Sequence, residues 1–207
     1  YTERAGVTRS DIDLVLTESV RAVDSNALEE AVATNVCVPV DFRMPVGDER
    51  FYEGVNVVPG HIVAGLAFTR PAEVDKILAQ LTECNAVVLT GASGAGKSGL
   101  QWLAAYQSRH QVRWFRLTAF ANIQHLPTVW NLIEGLQPRF DAPIGIVIDD
   151  IGAGGFDIWN AISAEIPHKP GVYLLGSIRS EDRELIAAGP NHFEFTVALD
   201  AQIAEHI

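Results

Sequence analysis

The sequence predicts an α/β fold built on a mostly parallel, buried sheet. Three observations predict it. From Arg70 onward, short apolar runs alternate with helical patterns, as βαβ units require. A glycine-rich stretch, GASGAGKS at 91–98, lies between a predicted strand and a predicted helix. A later apolar run, IGIVIDD at 144–150, ends in two aspartates.

The elements follow in order. Residues 10–22 place Ile12, Val15, Leu16 and Val20 at helical spacing, with Ser10 as N-cap. A second helix is predicted over 25–34. Residues 38–61 are broken by Pro39, Pro45, Gly47, Gly54, Pro59 and Gly60. They read as a linker with short extended pieces. RPAEVDKILAQL, 70–81, reads as a helix. Five strands are predicted: AVVLT at 86–90, VRWFRL at 112–117, IGIVID at 144–149, VYLLGSI at 172–178 and FEFTVAL at 193–199. Helices are predicted from Lys97, near 128–136 and near 181–188. The division expected is an acidic N-terminal segment or the end of an upstream domain, 1–60, then one core domain, 61–207.

Composition limits the classes of function. The 207 residues are 48% hydrophobic, which suits a packed core and excludes a disordered chain. The net charge is −11. Residues 1–60 hold 11 acidic against 5 basic side chains, so the N-terminal part is the more acidic per residue. This balance argues against direct nucleic-acid binding, which needs clustered Lys and Arg. No apolar run reaches the roughly 18 residues that span a bilayer. Cys37 and Cys84 are too few for a zinc site or a disulfide framework. They read as inert thiols in a cytoplasmic protein. The chain starts at Tyr1 without a leader pattern, and it reads as a piece of a longer protein. Trp102, Trp114, Trp130 and Trp159 read as core, His61 as a turn residue and Lys169 as a solvated loop residue.

The motifs carry chemistry. GASGAGKS matches G-x-x-x-x-G-K-[ST]. Gly91, Ala92, Ser93, Gly94, Ala95 and Gly96 form a loop whose backbone N–H groups can curl around an anion. The helix that follows adds its positive end. Lys97 reaches β- and γ-phosphates, and Ser98 can ligate Mg²⁺. Asp149 then holds the metal, directly or through water. Asp150 is placed to act as a base on water. In VYLLGSIRSED, Arg179 follows a buried strand and can sense a γ-phosphate with its planar fork. The bland alternative for Arg179 is a surface ion pair with Glu181 or Asp182.

GASGAGKS, IGIVIDD and LLGSIRS together resemble the STAND class of AAA+-related P-loop ATPases, the NACHT- and AP-ATPase-like switch modules of signalling and defence proteins. AFTRPAEVDKIL also resembles that class's opening motif, with Arg70 and Glu73 in the matching places. The resemblance runs from about residue 66 to the end. It implies a P-loop NTPase three-layer sandwich with five mostly parallel strands in the order 5-1-4-3-2. It implies ATP and Mg²⁺ as ligands, with Arg70 beside the adenine. It also implies a slow nucleotide switch working on other domains of the same polypeptide, with self-assembly on activation. Two departures stand out. Asp150 occupies the place of the Glu used for fast hydrolysis. The sequence also ends at Ile207, where the family continues into a helical lid and a winged-helix region.

Two other readings compete. A small-molecule or nucleotide kinase needs an arginine-rich lid, and residues 150–171 contain no arginine. A DNA-remodelling AAA+ subunit fits poorly with the acidic balance. No guanine-recognition motif appears, which favours adenine.

Overall fold

The computed structural model describes residues 28–118, 121–136, 143–187 and 192–198. The helix predicted over 10–22 lies outside the described residues. The described part of helix α1 covers residues 28–33. It leads into a short strand, β1 (Cys37–Pro39), and then, past a single 3₁₀ turn at Phe51–Glu53, into the short helix α2 (Pro59–Val63). After it come α3 (Pro71–Cys84), β2 (Ala86–Gly91), α4 (Lys97–Gln107), β3 (Arg113–Leu117), α5 (Leu126–Gly135), β4 (Ile144–Ile148), α6 (Phe156–Glu165), β5 (Val172–Arg179) and β6 (Phe193–Thr196).

The strands form one sheet in the order β1-β3-β4-β5-β2-β6. The five predicted strands are all parallel, and their expected order holds. The correction is at the edge. β1 pairs antiparallel with β3, matching Cys37 to Leu117 and Pro39 to Phe115, and makes a sixth strand. Pro39 has no N–H to donate, so an edge position suits it. Part of the predicted linker is therefore sheet, and Pro59 opens α2 at a position where its missing N–H costs nothing.

Alternation along the strands separates two cores. Ala86 and Val88 of β2, Ile144, Ile146 and Ile148 of β4, and Leu174 of β5 face α5 and α6. Val87, Leu89, Val147 and Leu175 face α3 and α4. The result is a helix–sheet–helix sandwich. Trp102 and Trp159 are fully buried and Trp114 nearly so, while Trp130 is half-buried against the core.

Three further expectations need correcting. Residues Phe156–Glu165 form α6, which the sequence pattern did not reveal. Its first residue follows Gly155, with no side-chain cap to announce it. The helix predicted near 181–188 is a 3₁₀ helix, Ser180–Leu185. Lys169 is not freely solvated: its ammonium lies 3.2 Å from Glu134 and over the Trp130 ring. His61 sits buried in α2, where its Nδ1 accepts from the Val58 N–H at 3.3 Å.

Burial gives the two thiols different chemistry. Cys37 lies in β1 with no exposed surface, and desolvation pushes its pKa up to about 12. Cys84 is only half-buried. The thiolate is the reactive form, so a thiol reagent at pH 8 is expected to label one cysteine per native chain and both after denaturation. Rapid labelling of two in the native protein would show that β1 does not hold Cys37 in the sheet.

Candidate functional site

The site grows from the carboxyl end of β2, whose six residues are all buried. The chain leaves the sheet at Gly91 and turns through Gly94 (φ +78°) and Gly96 (φ +84°) before α4 begins at Lys97. These left-handed angles are costly for any residue with a Cβ. The loop therefore wraps the amino end of an 11-residue helix, where backbone N–H groups and the helix dipole favour an anion.

Lys97 Nζ donates to the carbonyls of Gly91 at 3.0 Å and Ala92 at 2.7 Å. Burial pulls its pKa below the ordinary lysine value; the charge of Asp150 opposes this and that of Arg179 reinforces it. A polyanion in the loop would oppose that downward shift.

Asp149 follows β4, which only β5 separates from the loop strand β2, and its carboxylate reaches Ser98 at the start of α4. Its Oδ1 accepts from the Ser98 hydroxyl at 2.8 Å and from the Ser177 hydroxyl at 2.8 Å. The same Ser177 oxygen accepts the backbone N–H of Asp150 at 3.0 Å. One buried serine thus orients the carboxylate of Asp149 and the main chain of Asp150. Asp150 adopts a left-handed conformation, φ +51°, which Asp tolerates better than most residues. Its Oδ2 lies 3.4 Å from Arg179 Nη2, with nearly half of each side chain exposed.

Ser98 and Asp149 fit a hard divalent cation. They offer a hydroxyl and a carboxylate oxygen 2.8 Å apart at the mouth of an anion-binding loop, the sparse oxygen set that Mg²⁺ takes when phosphates and waters complete its shell. No group of three or more His, Cys, Asp or Glu side chains suited to a metal occurs among the described residues.

Arg70 is placed by the start of α3, with Pro71 at the first helical position. Its guanidinium is nearly buried. Nη2 donates to the Ala95 carbonyl at 3.3 Å, and Nη1 lies 3.3 Å from Glu73. A Cβ built on Gly96 would lie 3.6 Å from Arg70 Nη2. Arg70 thus holds the backbone of the loop at Ala95.

A cavity of about 430 Å³ joins these groups. Ser93, Gly94, Gly96, Lys97, Ser98, Asp149, Asp150, Arg179 and Arg70 all line it. Gly91 and Ala95 are buried at the base of the loop, and Ala92 contributes its carbonyl to Lys97. The other end is lined by Phe51, Tyr52, Asn56, Val57, Ala67 and Phe68. The volume falls in the range of small-molecule sites. Sequence reasoning missed Ser177 and the Phe51–Val57 part of this end, while Ala67 and Phe68 belong to the AFTRPAEVDKIL segment. Ser177 is a lone polar residue in an apolar run, and Phe51–Val57 lay in the presumed linker.

No protein-family profile matches the sequence, and no curated protein matches it. Solved structures do. PCH-2 from C. elegans aligns at TM-score 0.41 and 14% identity, over 68% of this chain and 46% of that one. RuvB from Thermotoga maritima, a point variant, aligns at 0.38 and 16%, over 61% and 45%. A katanin, from a structure on katanin self-assembly, aligns at 0.38 and 17%, over 81% and 58%. All three are AAA+ ATPases, and this chain spans about half the length of each. The chain has a P-loop NTPase fold. That statement rests on its own strand order and phosphate loop.

Removing this contact with the loop has a measurable cost. Arg70→Ala leaves the Ala95 carbonyl and Glu73 without their partner, and the unfolding free energy is expected to fall by about 1–3 kcal/mol. Urea denaturation followed by fluorescence checks this. An unchanged midpoint would mean that Arg70 does not support the loop.

Proposed function

We propose that this chain is an ATP–Mg²⁺-binding module that works as a slowly hydrolysing nucleotide switch. The observation that carries the reading is the convergence of Lys97, Ser98, Asp149 and Arg179 on one cavity at the carboxyl edge of a parallel sheet. Open α/β sheets bind ligands at that edge. The loop and the amino end of α4 hold the β-phosphate, Lys97 spans the β- and γ-phosphates, and Ser98 with Asp149 holds the metal. Mg²⁺ held there would neutralise phosphate charge. The end lined by Phe51, Asn56 and Phe68 takes the base.

Slow turnover follows from Asp150. Its side chain is shorter than Glu, and its carboxylate is engaged with Arg179. A half-exposed ion pair of this kind contributes about 0–1 kcal/mol. A charge-assisted bond to phosphate contributes about 1.5–3 kcal/mol. A γ-phosphate can therefore draw Arg179 away from Asp150, whereas ADP has no group to do so. The resemblance of the motifs to the STAND class supports a place in a larger signalling or defence ATPase, where the switch acts on other domains of the polypeptide and on self-assembly. The acidic charge supports a protein rather than a nucleic-acid target.

Two measurements test the reading. Titration calorimetry with Mg²⁺–ATP is expected to show binding that Lys97→Ala abolishes while the circular dichroism spectrum is kept. Equal affinity in both proteins would refute it. Paired titrations with a non-hydrolysable ATP analogue and with ADP test the sensor. Arg179→Ala is expected to weaken the analogue by about ten- to a hundredfold and to leave ADP nearly unchanged, with partial rescue in Arg179→Lys. Equal losses for both nucleotides would remove Arg179 from the γ-phosphate.

A further inference from the structure

Gln101 is a fully buried polar residue in the middle of an apolar helix face. It lies in α4 one turn after Lys97 and three residues after Ser98, a spacing that puts all three on neighbouring positions of the helix. It has no exposed surface. Its Nε2 donates to the carbonyl of Ile148 at 3.1 Å and to that of Leu175 at 2.8 Å. Both partners are acceptors, so the amide nitrogen must face them, and the reverse orientation would set oxygen against oxygen. The consequence is an Oε1 that is buried with no hydrogen-bond partner among the described residues.

An apolar side chain of similar volume would fill this place without orphaning an oxygen. A buried polar group left half-satisfied calls for an account. The two carbonyls supply it. Ile148 is the last residue of β4, directly before Asp149, and Leu175 stands two residues before Ser177 in β5. Hydrogen bonds along the sheet fix β4 against β5, but α4 meets those strands mainly through apolar contacts, which are non-directional. Gln101 adds a directional tie from the helix that carries Lys97 and Ser98 to the two strands that carry Asp149 and Ser177.

We propose that Gln101 is a positioning residue for the metal–phosphate site, setting the separation of Ser98 from Asp149 through its two bonds to the strand backbones. The inference rests on the nucleotide-binding reading above. It concerns a residue that touches neither nucleotide nor metal.

The test compares the wild-type chain with Gln101→Met, which keeps the volume and removes the amide. ADP affinity without Mg²⁺ is expected to be the same in both, and the Mg²⁺ concentration that half-saturates the nucleotide complex to rise about ten- to a hundredfold in the variant, as for other outer-shell partners of metal ligands. A merely structural role predicts the opposite pattern, with lowered thermal stability and an unchanged Mg²⁺ response, and that result overturns the proposal. A second measurement needs no variant. In the wild-type chain labelled with ¹⁵N, the Gln101 side-chain amide is expected to exchange slowly and to shift when Mg²⁺ is added to the ADP complex. A rapidly exchanging or unmoved resonance overturns the proposal even where Gln101→Met fails to fold. Wild-type chain that binds no Mg²⁺–nucleotide overturns the functional reading and this inference with it. Normal wild-type binding with an identical Gln101→Met response overturns this inference alone.

Discussion

Oδ1 of Asp149 joins three elements that are distant in sequence. It accepts one hydroxyl from Ser98 on α4 and another from Ser177 on β5, each at 2.8 Å. The carboxylate itself hangs from the end of β4. A half-buried acceptor with two strong donors strongly favours one side-chain orientation. The amino end of α4, the end of β4 and, through Ser177, the backbone of Asp150 are all referred to this one oxygen. Remove it, and among the described residues α4 is tied to β4 and β5 only by packing and by Gln101.

Sheet order makes the contact possible. β5 lies between β2 and β4, so the ends of the loop strand, the aspartate strand and the serine–arginine strand are neighbours. A parallel arrangement sends all their carboxyl ends to one edge. The same edge concentrates positive charge in a chain of net charge −11. Lys97, Arg179, Arg70 and the amino end of α4 converge there, with Asp149 and Asp150 between them. The acidity elsewhere does not defeat anion binding, because exposed charges beyond about 8–10 Å are largely screened while those lining a cavity are not.

What the sequence made legible was whatever is local. The phosphate loop, the two aspartates after IGIVI and the arginine after VYLLGSI are contiguous patterns, and their strands are continuous apolar runs because both faces of a parallel sheet are covered. Pairing that is distant in sequence was not legible. β1 is three residues long with a proline in it, and only its match to β3 makes it a strand. α6 is short, rich in Ile, Phe and Trp, and uncapped by any side chain, so its composition suits a strand as well as a helix. Ser177 and Gln101 are single polar letters among apolar ones, and their meaning lies entirely in partners 28 and 74 residues away. Arg70 was legible as a motif position but not as a partner of the Ala95 carbonyl.

The contrast between buried and exposed ties explains how one site can be both fixed and responsive. The contacts around Asp149, with Ser177 and Gln101 behind it, lie largely out of solvent, where a lost partner leaves an unpaired polar group and costs about 1–3 kcal/mol. The contact between Asp150 and Arg179 lies nearly half in solvent at 3.4 Å, where breaking it costs about 1 kcal/mol or less. Under the proposed function, the residues that would hold the β-phosphate and metal therefore sit on strong ties. The two residues that would distinguish a third phosphate share the weak one. A ligand shifts a conformational balance only by its difference in affinity between states. Under the proposed function, a pair weak enough to be exchanged for a phosphate contact is where that difference would arise.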